Sequence, residues 1–139
     1  MKRTLRNLLA SSVVIMVAVV LFAFVTPQDQ KAGAPWVIPA KYKSMANPQK
    51  GKADTENVGK LLYAKHCKSC HGSIGAGDGP KAGSLDTKIK SFKDGKFQAQ
   101  SDGEIYFQSF VDRDMKSFEK KIPAAEDRWA IVNYIRTLK

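Results

Sequence analysis

The chain has 139 residues, of which 43% are hydrophobic and 26% are charged. This length is enough for one small domain with an appendage, which excludes a multidomain enzyme. Twenty-three lysines and arginines against 13 acidic residues give a formal net charge of +10, which indicates an anionic partner such as nucleic acid, a lipid surface or an acidic protein face. Two cysteines and two histidines argue against a multi-cysteine disulfide scaffold.

The first 25 residues have the features of a targeting segment. The basic start Met1–Arg6 precedes Leu8–Val25, an uncharged run of roughly 18 residues, longer than a usual signal-peptide core of about 7–15 and shorter than a membrane span of about 20. The cleavage-site candidates Ala23–Val25 and Ala32–Ala34 fit poorly or lie late, which favours an uncleaved anchor. Residues 1–25 are therefore predicted to be a signal peptide or membrane anchor, with the rest of the chain periplasmic or on the outer face of the cytoplasmic membrane.

Residues 26–53 are predicted to form a spacer. Four prolines with small and polar residues between them disfavour a continuous helix or a central strand. Trp36, Ile38 and Tyr42 are apolar enough to pack onto the following domain, and Met45 also lies in this stretch.

Residues 54–139 are predicted to form a small all-α domain of three or four helices separated by long loops, since no convincing alternating strand pattern occurs. Val58, Leu61 and Leu62 follow helical spacing behind Thr55, a candidate N-cap, in a first helix that runs into the cysteines.

Two further helices follow a stretch rich in glycine. Glycines and a proline break regular structure between Gly72 and Gly83. Ser101 and Glu104 form a capping box that starts a second long helix, predicted to end near Asp112. Pro123 opens the last helix, whose apolar positions are Trp129, Ile131, Val132, Tyr134, Ile135 and Leu138.

The strongest chemical signal is the motif Cys67-Lys68-Ser69-Cys70-His71. Two thiols three positions apart can form thioethers to the two vinyl groups of a porphyrin, and the adjoining imidazole then lies under the iron. We interpret the motif as a site for one covalent haem c, with Cys67 and Cys70 as attachment points and His71 as the proximal iron ligand.

Two alternative interpretations of the cysteines fit the sequence less well. A thioredoxin-like redox pair requires a βαβ context and a helix that starts at the first cysteine, whereas this motif ends a helix. A structural zinc site would need His66, Cys67, Cys70 and His71, which lie too close together in sequence to close a tetrahedron easily.

Met115 is the best candidate for the second axial ligand. It lies 44 residues after His71, between two apolar helices, and its thioether would favour reduced iron and block the access of small molecules. Met45 is a weaker candidate, and the alternative for Met115 is a packing role in the core. A haem enzyme or gas sensor with an open distal site remains the alternative function.

From about Asp54 to Lys139 the sequence resembles the class I cytochrome c family. Gly59 and Tyr63 on the first helix, with Ile131 and Tyr134 on the last, are similar to the family's closely crossing helix pair. The resemblance implies a few helices around one haem with a single exposed edge.

The resemblance also assigns two loop positions. It implies that the carbonyl of Pro80 accepts a hydrogen bond from His71 and that Met115, followed by Phe118, lies in a methionine loop. The loop departs from the family pattern, because Asp112 and Lys116 stand near the positions where bacterial members carry Gly and Pro. Aspartate tolerates a left-handed backbone, so Asp112 can still end the helix.

Nine residues are predicted to surround the haem: Leu85, Phe92, Phe97, Ile105, Tyr106, Phe110, Phe118, Ile122 and Trp129. Ten lysines are expected to ring its exposed edge and to orient an acidic redox partner: Lys65, Lys68, Lys81, Lys88, Lys90, Lys93, Lys96, Lys116, Lys120 and Lys121. The alternative is that these lysines only increase solubility. Nucleic-acid binding is not expected, since no recognition motif is present.

These features predict a single-electron carrier in the cell envelope, with one c-type haem, His71/Met115 ligation and no enzymatic activity. A related alternative is the haem subunit of a larger respiratory or dehydrogenase complex. A haem-free thiol oxidoreductase is a third hypothesis.

Overall fold

The computed structural model describes residues 37–112, residue 115 and residues 117–139. The helices of this part are α1 (Ala40–Lys43), α2 (Thr55–His66), α3 (Lys68–His71), α4 (Gly95–Gln98), α5 (Asp102–Tyr106), a π-helical segment (Phe107–Val111), α6 (Ser117–Lys121) and α7 (Ala125–Thr137), with a 3-10 turn at Ala82–Ser84. No strand occurs among these described residues, which confirms the all-α class there. The predicted signal peptide or anchor and the spacer up to residue 36 lie outside them.

Helices α2 and α7 form the centre of the fold and cross in close contact at Gly59. A Cβ atom on Gly59 would collide with the carbonyl oxygen of Ala130 and would lie 3.0 Å from the Cβ of Tyr134. The missing side chain is therefore what lets the two backbones approach. Tyr63, one turn further on, is 1% exposed and its ring packs against that of Tyr134, with ring centroids 5.2 Å apart. The predicted close crossing is confirmed.

The helix predicted from the spacing of Val58, Leu61 and Leu62 is present, but these apolar residues do not all face the core. Leu61 is 73% exposed and Val58 is 41% exposed, whereas Leu62 packs against the core. The helix turns Gly59 and Tyr63 inward instead, because contact with α7 requires a position without a side chain, and hydrophobicity alone does not identify such a position.

The N-cap of α2 lies one residue earlier in the chain than predicted. Asp54, in a left-handed conformation with φ 61°, is the N-cap, and its side chain makes no capping hydrogen bond. Thr55 is the first helical residue; its hydroxyl donates to the carbonyl of Lys52 over 2.9 Å and accepts a hydrogen bond from the Asn133 side chain.

Helix α5 begins with the predicted capping box. The Ser101 hydroxyl accepts from the amide of Glu104 over 3.2 Å, and the Glu104 carboxylate accepts from the amide of Ser101 over 2.7 Å. The helix continues as the π-helical segment, where the sequence predicts ordinary α-helix. It ends at Asp112 as predicted, but with an extended backbone at φ −67° and ψ 153° rather than a left-handed one.

The last helix, α7, begins at Ala125, two residues after Pro123, because Ala124 is still extended. Its predicted apolar face is confirmed: Trp129, Ile131, Val132 and Ile135 are buried.

Residues 37–53 pack against these helices. Tyr42 on α1 is buried, with its ring centroid 4.7 Å from that of Phe107. The amide of the Asn47 side chain donates to Asp102 over 3.0 Å and to Asn133 over 2.7 Å. This part of the predicted spacer therefore belongs to the same compact unit as the helices, a unit that starts at Val37.

Most residues predicted to surround the haem are buried or partly buried, but Leu85 is 45% exposed. It directly follows the 3-10 turn, and its own backbone is extended, at φ −100° and ψ 141°. Within the described part of the chain, no helix combines the length and the apolar content that crossing a membrane requires.

Candidate functional site

A cavity brings together three of the residues that the sequence singled out, Cys67, His71 and Met115. The end of α2, α3, the π-helical segment, α6 and α7 all contribute to its wall. Apart from Ser109, the other lining residues are apolar: Phe92, Phe110, Phe118, Ile131 and Ile135. A larger polar cleft between residues 50–57 and α7 shares no lining residue with it.

The cysteines and the histidine lie on one tight turn. The amide of Cys67 closes α2 by donating to Tyr63 over 2.8 Å, and the carbonyl of Cys67 accepts from the amides of Cys70 and His71 over 3.1 and 3.0 Å. Gly72, with φ 81°, then ends α3. The motif spacing thus folds into one turn with His71 at its end, and Cys70 lies beside the cavity without lining it.

Both cysteines are free thiols. Burial, with the neighbouring Cys70, raises the pKa of Cys67 to about 12, so this thiol is protonated at neutral pH. A reactive thiol–disulfide pair requires the opposite, a lowered pKa that favours the thiolate. The raised pKa of Cys67 therefore disfavours the thioredoxin-like interpretation.

The His71 imidazole is held neutral and flat against an aromatic ring. Burial lowers its pKa to about 4. Phe92 stacks on it, with ring centroids 4.4 Å apart and planes 14° from parallel. The neutral imidazole is the form that binds a metal, because one of its nitrogens has a free lone pair.

The hydrogen bond predicted between His71 and Pro80 is absent. The Nδ1 atom of His71 is buried and has no hydrogen-bond partner among the described residues. The loop is instead tied to the turn through its neighbours, since the amide of Gly79 donates to Cys70 over 3.1 Å and that of Lys81 to Ser69 over 2.8 Å. Pro80 itself is exposed. Its role in haem binding stays a prediction.

The glycine-rich stretch folds closely around the motif. The hydroxyl of Tyr63, buried on α2, donates to the carbonyl of Gly72 over 2.8 Å, and the amide of Gly77 donates to His71 over 2.9 Å. At Gly77, φ is 80° and a Cβ atom would lie 2.6 Å from the carbonyl oxygen of Ile89. Glycine is therefore required where this loop comes close to the backbone of Ile89.

Met115 lies much later in the chain, between the π-helical segment and α6. Its amide donates to Asp112 over 3.0 Å, and its carbonyl accepts from Phe118 over 2.9 Å. The π turn is closed by the amide of Asp112 donating to Phe107 over 2.9 Å. This wider turn presents both Ser109 and Phe110 to the cavity, and π turns often occur at functional sites.

Two other candidate ligands do not reach the cavity. Met45 packs on the core beside Gly103, away from the lining residues. His66, the last residue of α2, also does not line it; burial, with Lys65 and Lys121, lowers its pKa. Across residues 37–112, 115 and 117–139, no group of three or more His, Cys, Asp or Glu residues could hold a metal ion.

Nine of the ten lysines named above are described, and all nine are exposed. Lys116 lies outside the described residues.

The sequence did not indicate Ser109 or the buried Arg128 as residues of interest. The only signal for Arg128 was a charged residue directly before the buried Trp129, and a charged residue on a helix is usually exposed.

Residues 57–139 match the family model described as Cytochrome c. A comparison with curated protein sequences found no match to the chain.

Proposed function

This chain belongs to the cytochrome c family, and we propose that it is an exported monohaem protein that relays single electrons between redox proteins of the cell envelope. The family binds haem c covalently and generally transfers electrons rather than catalysing reactions of substrates. The observation that carries the proposal is the cavity itself, in which Cys67, His71 and Met115 share one largely apolar lining.

The residues around this cavity fit a haem c group. Two free thiols three positions apart are available for thioethers, and the neutral His71 imidazole follows directly. Phenylalanine and isoleucine side chains supply the apolar contacts that a porphyrin ring needs. When bound, the haem supplies an iron that takes up and releases one electron.

We assign the residues as follows. Cys67 and Cys70 hold the group covalently, so that it cannot dissociate. His71 and Met115 would supply the nitrogen and sulfur atoms that hold the haem iron. The thioether of Met115 excludes small ligands, and the ring of Phe92 fixes the orientation of His71 by stacking. Together these residues keep the site rigid and dry, which limits reorganisation when an electron is transferred.

The lysines and the N-terminal segment complete the proposal. Exposed lysines, which flank the haem motif and the loops in sequence, orient an acidic redox partner, so association should be fast and should weaken with salt. Residues 1–25 direct export and retain the protein at the outer face of the cytoplasmic membrane, or are cleaved to release it into the periplasm.

Exogenous-ligand binding to the haem-loaded protein tests this proposal. Met115→Ala should raise the affinity of the reduced protein for carbon monoxide by at least about 100-fold, because a tethered ligand competes at high effective concentration. The same variant should have a lower reduction potential. Met45→Ala is the matched control and should change neither quantity.

A larger effect of Met45→Ala would show that the ligand assignment is wrong. A wild-type protein that binds carbon monoxide as tightly as Met115→Ala would have an open distal position, as expected of a haem enzyme or gas sensor.

A further inference from the structure

Arg128 on α7 is a charged residue that is only 8% exposed. Removing a guanidinium from water is costly unless its donors find acceptors inside the protein. The burial of Arg128 therefore indicates that its hydrogen bonds fix a particular arrangement of the chain.

The donors of Arg128 join two separate stretches. Its Nε donates to the hydroxyl of Tyr106 over 2.7 Å. Its Nη1 donates to the carbonyls of Ile122 over 2.8 Å and Pro123 over 3.0 Å, with a longer contact of 3.5 Å to that of Glu119. Hydrogen bonds from a charged donor are stronger than neutral ones. Arg128 thus connects α5 to the end of α6.

A chain of backbone hydrogen bonds leads from Arg128 to Met115. Ile122 accepts from Arg128, and the amide of Ile122 donates to Phe118 over 2.9 Å. The amide of Phe118 in turn donates to Met115 over 2.9 Å, and that of Met115 to Asp112 over 3.0 Å. Each link connects neighbouring turns, so the position of Ile122 is transmitted to Met115.

The other end of the Arg128 contact is equally fixed. Tyr106 stacks on Trp129, with ring centroids 4.3 Å apart, and packs against Phe110 at 5.3 Å. Phe110 lines the cavity. Arg128 therefore holds the chain on both sides of Met115, at Tyr106 before it and at Ile122 after it.

We propose that Arg128 is a positioning residue that keeps Met115 at the haem iron by clamping the segment between Tyr106 and Pro123. The proposal rests on the His71/Met115 ligation proposed above. Loss of the clamp lets Met115 leave its place, and the haem becomes accessible to added ligands.

Arg136 provides a matched control on the same helix. It also donates to backbone carbonyls, those of Gln98 over 2.7 Å and of Gln100, and it pairs with Asp102 at 2.8 Å. These contacts hold residues 98–102 and involve no residue of the Met115 segment. A substitution there removes a comparable number of hydrogen bonds at another place.

The experiment measures imidazole affinity and reduction potential of the haem-loaded, full-length protein. Arg128→Lys keeps the charge, but an ammonium donates from a single atom, whereas Arg128 donates to Tyr106 from Nε and to both carbonyls from Nη1. It should raise the affinity of the oxidised protein for imidazole by at least about tenfold, equal to ~1.4 kcal/mol, and lower the potential. Tyr106→Phe, which removes one acceptor only, should raise the affinity by about threefold, less than ~1 kcal/mol. Arg136→Lys should stay within about twofold of the wild type.

An imidazole affinity of Arg128→Lys within about twofold of the wild type would overturn the proposal, as would an equal rise in Arg136→Lys, which would point to a general loss of stability. Failure of the underlying ligation is visible separately, because the wild type would then bind imidazole as tightly as Met115→Ala does.

Discussion

The two sides of the cavity are held in place by different kinds of contact. The side that carries Cys67 and His71 continues directly from α2, which packs tightly on α7 at Gly59. The side that carries Met115 follows the π-helical segment and is connected to α7 through the side chain of Arg128. The first side depends on a backbone contact between long helices, whereas the second combines core packing of Phe110 and Ile122 with the side-chain hydrogen bonds of Arg128.

This difference separates overall stability from ligand control. A change in the α2–α7 contact should affect the whole molecule, because both long helices are involved. A change near Met115 should alter access to the iron before it alters the fold. Local opening of this kind, at a lower free energy than global unfolding, is common in small proteins.

The largest effect is expected from Gly59→Val. The new side chain would meet the carbonyl of Ala130, and neither backbone can move without separating α2 from α7. Urea unfolding of the haem-loaded protein should show that the free energy of unfolding falls by about 3 kcal/mol or more. Gly83→Ala is the control, since a Cβ atom there meets nothing within 4 Å, and it should change stability by less than about 1 kcal/mol.

A stability of Gly59→Val close to that of Gly83→Ala would show that the close crossing is not the centre of the fold.

Tyr63→Phe should have an intermediate effect that is confined to the cysteine–histidine side. It removes a buried hydrogen bond and leaves the carbonyl of Gly72 without its donor, which costs about 1–2 kcal/mol. The imidazole affinity should stay unchanged, because no contact of Met115 is lost. Urea unfolding and imidazole titration of the same samples check both points.

Tyr134→Phe is the matched control, because the structure records no hydrogen bond from this hydroxyl within the described residues. An imidazole affinity that rises in Tyr63→Phe would contradict the separation between the two sides.

The smallest effect, and a pH-dependent one, is expected at Asp102. Burial alone would raise the pKa of this carboxyl, but hydrogen bonds from Arg136 and Asn47 lower it below the ordinary value of 3.8. A lowered pKa in the folded state means that the stabilisation is present above pH 3.8 and is lost as the pH falls through the folded value.

Asp102→Asn should therefore cost about 1 kcal/mol at pH 7, and this cost should shrink as the pH falls through the lowered pKa and wild-type Asp102 becomes protonated as well. Urea unfolding at a series of pH values measures this difference. A cost that is the same at both ends of the series would show that the charge of Asp102 does not contribute.

Local patterns predicted the parts of the molecule that local contacts build. The Cys67–His71 spacing, the Ser101 capping box and the apolar face of α7 all depend on neighbours within one or two turns. The resemblance to a family pointed to Gly59, whereas the apolar spacing of Val58 and Leu61 indicated a helix but not its buried face, since both residues are exposed.

The parts that sequence could not supply depend on contacts between distant residues. The hydrogen bond from Asn47 to Asn133 joins residues 86 positions apart, and the sequence around neither residue predicts this contact. The π turn before Asp112 has no sequence signature in this chain. Arg128 was overlooked because a charged helix residue is usually exposed, and only its acceptors in other elements explain its burial.

The most direct test of the central claim is the intact mass of the full chain, produced in cells that attach haem to exported proteins. We predict the mass of the polypeptide plus one haem, and the polypeptide alone for a Cys67→Ala/Cys70→Ala variant. A wild-type protein with the mass of the polypeptide alone, and without the Soret absorbance of haem, would contradict covalent attachment at this motif.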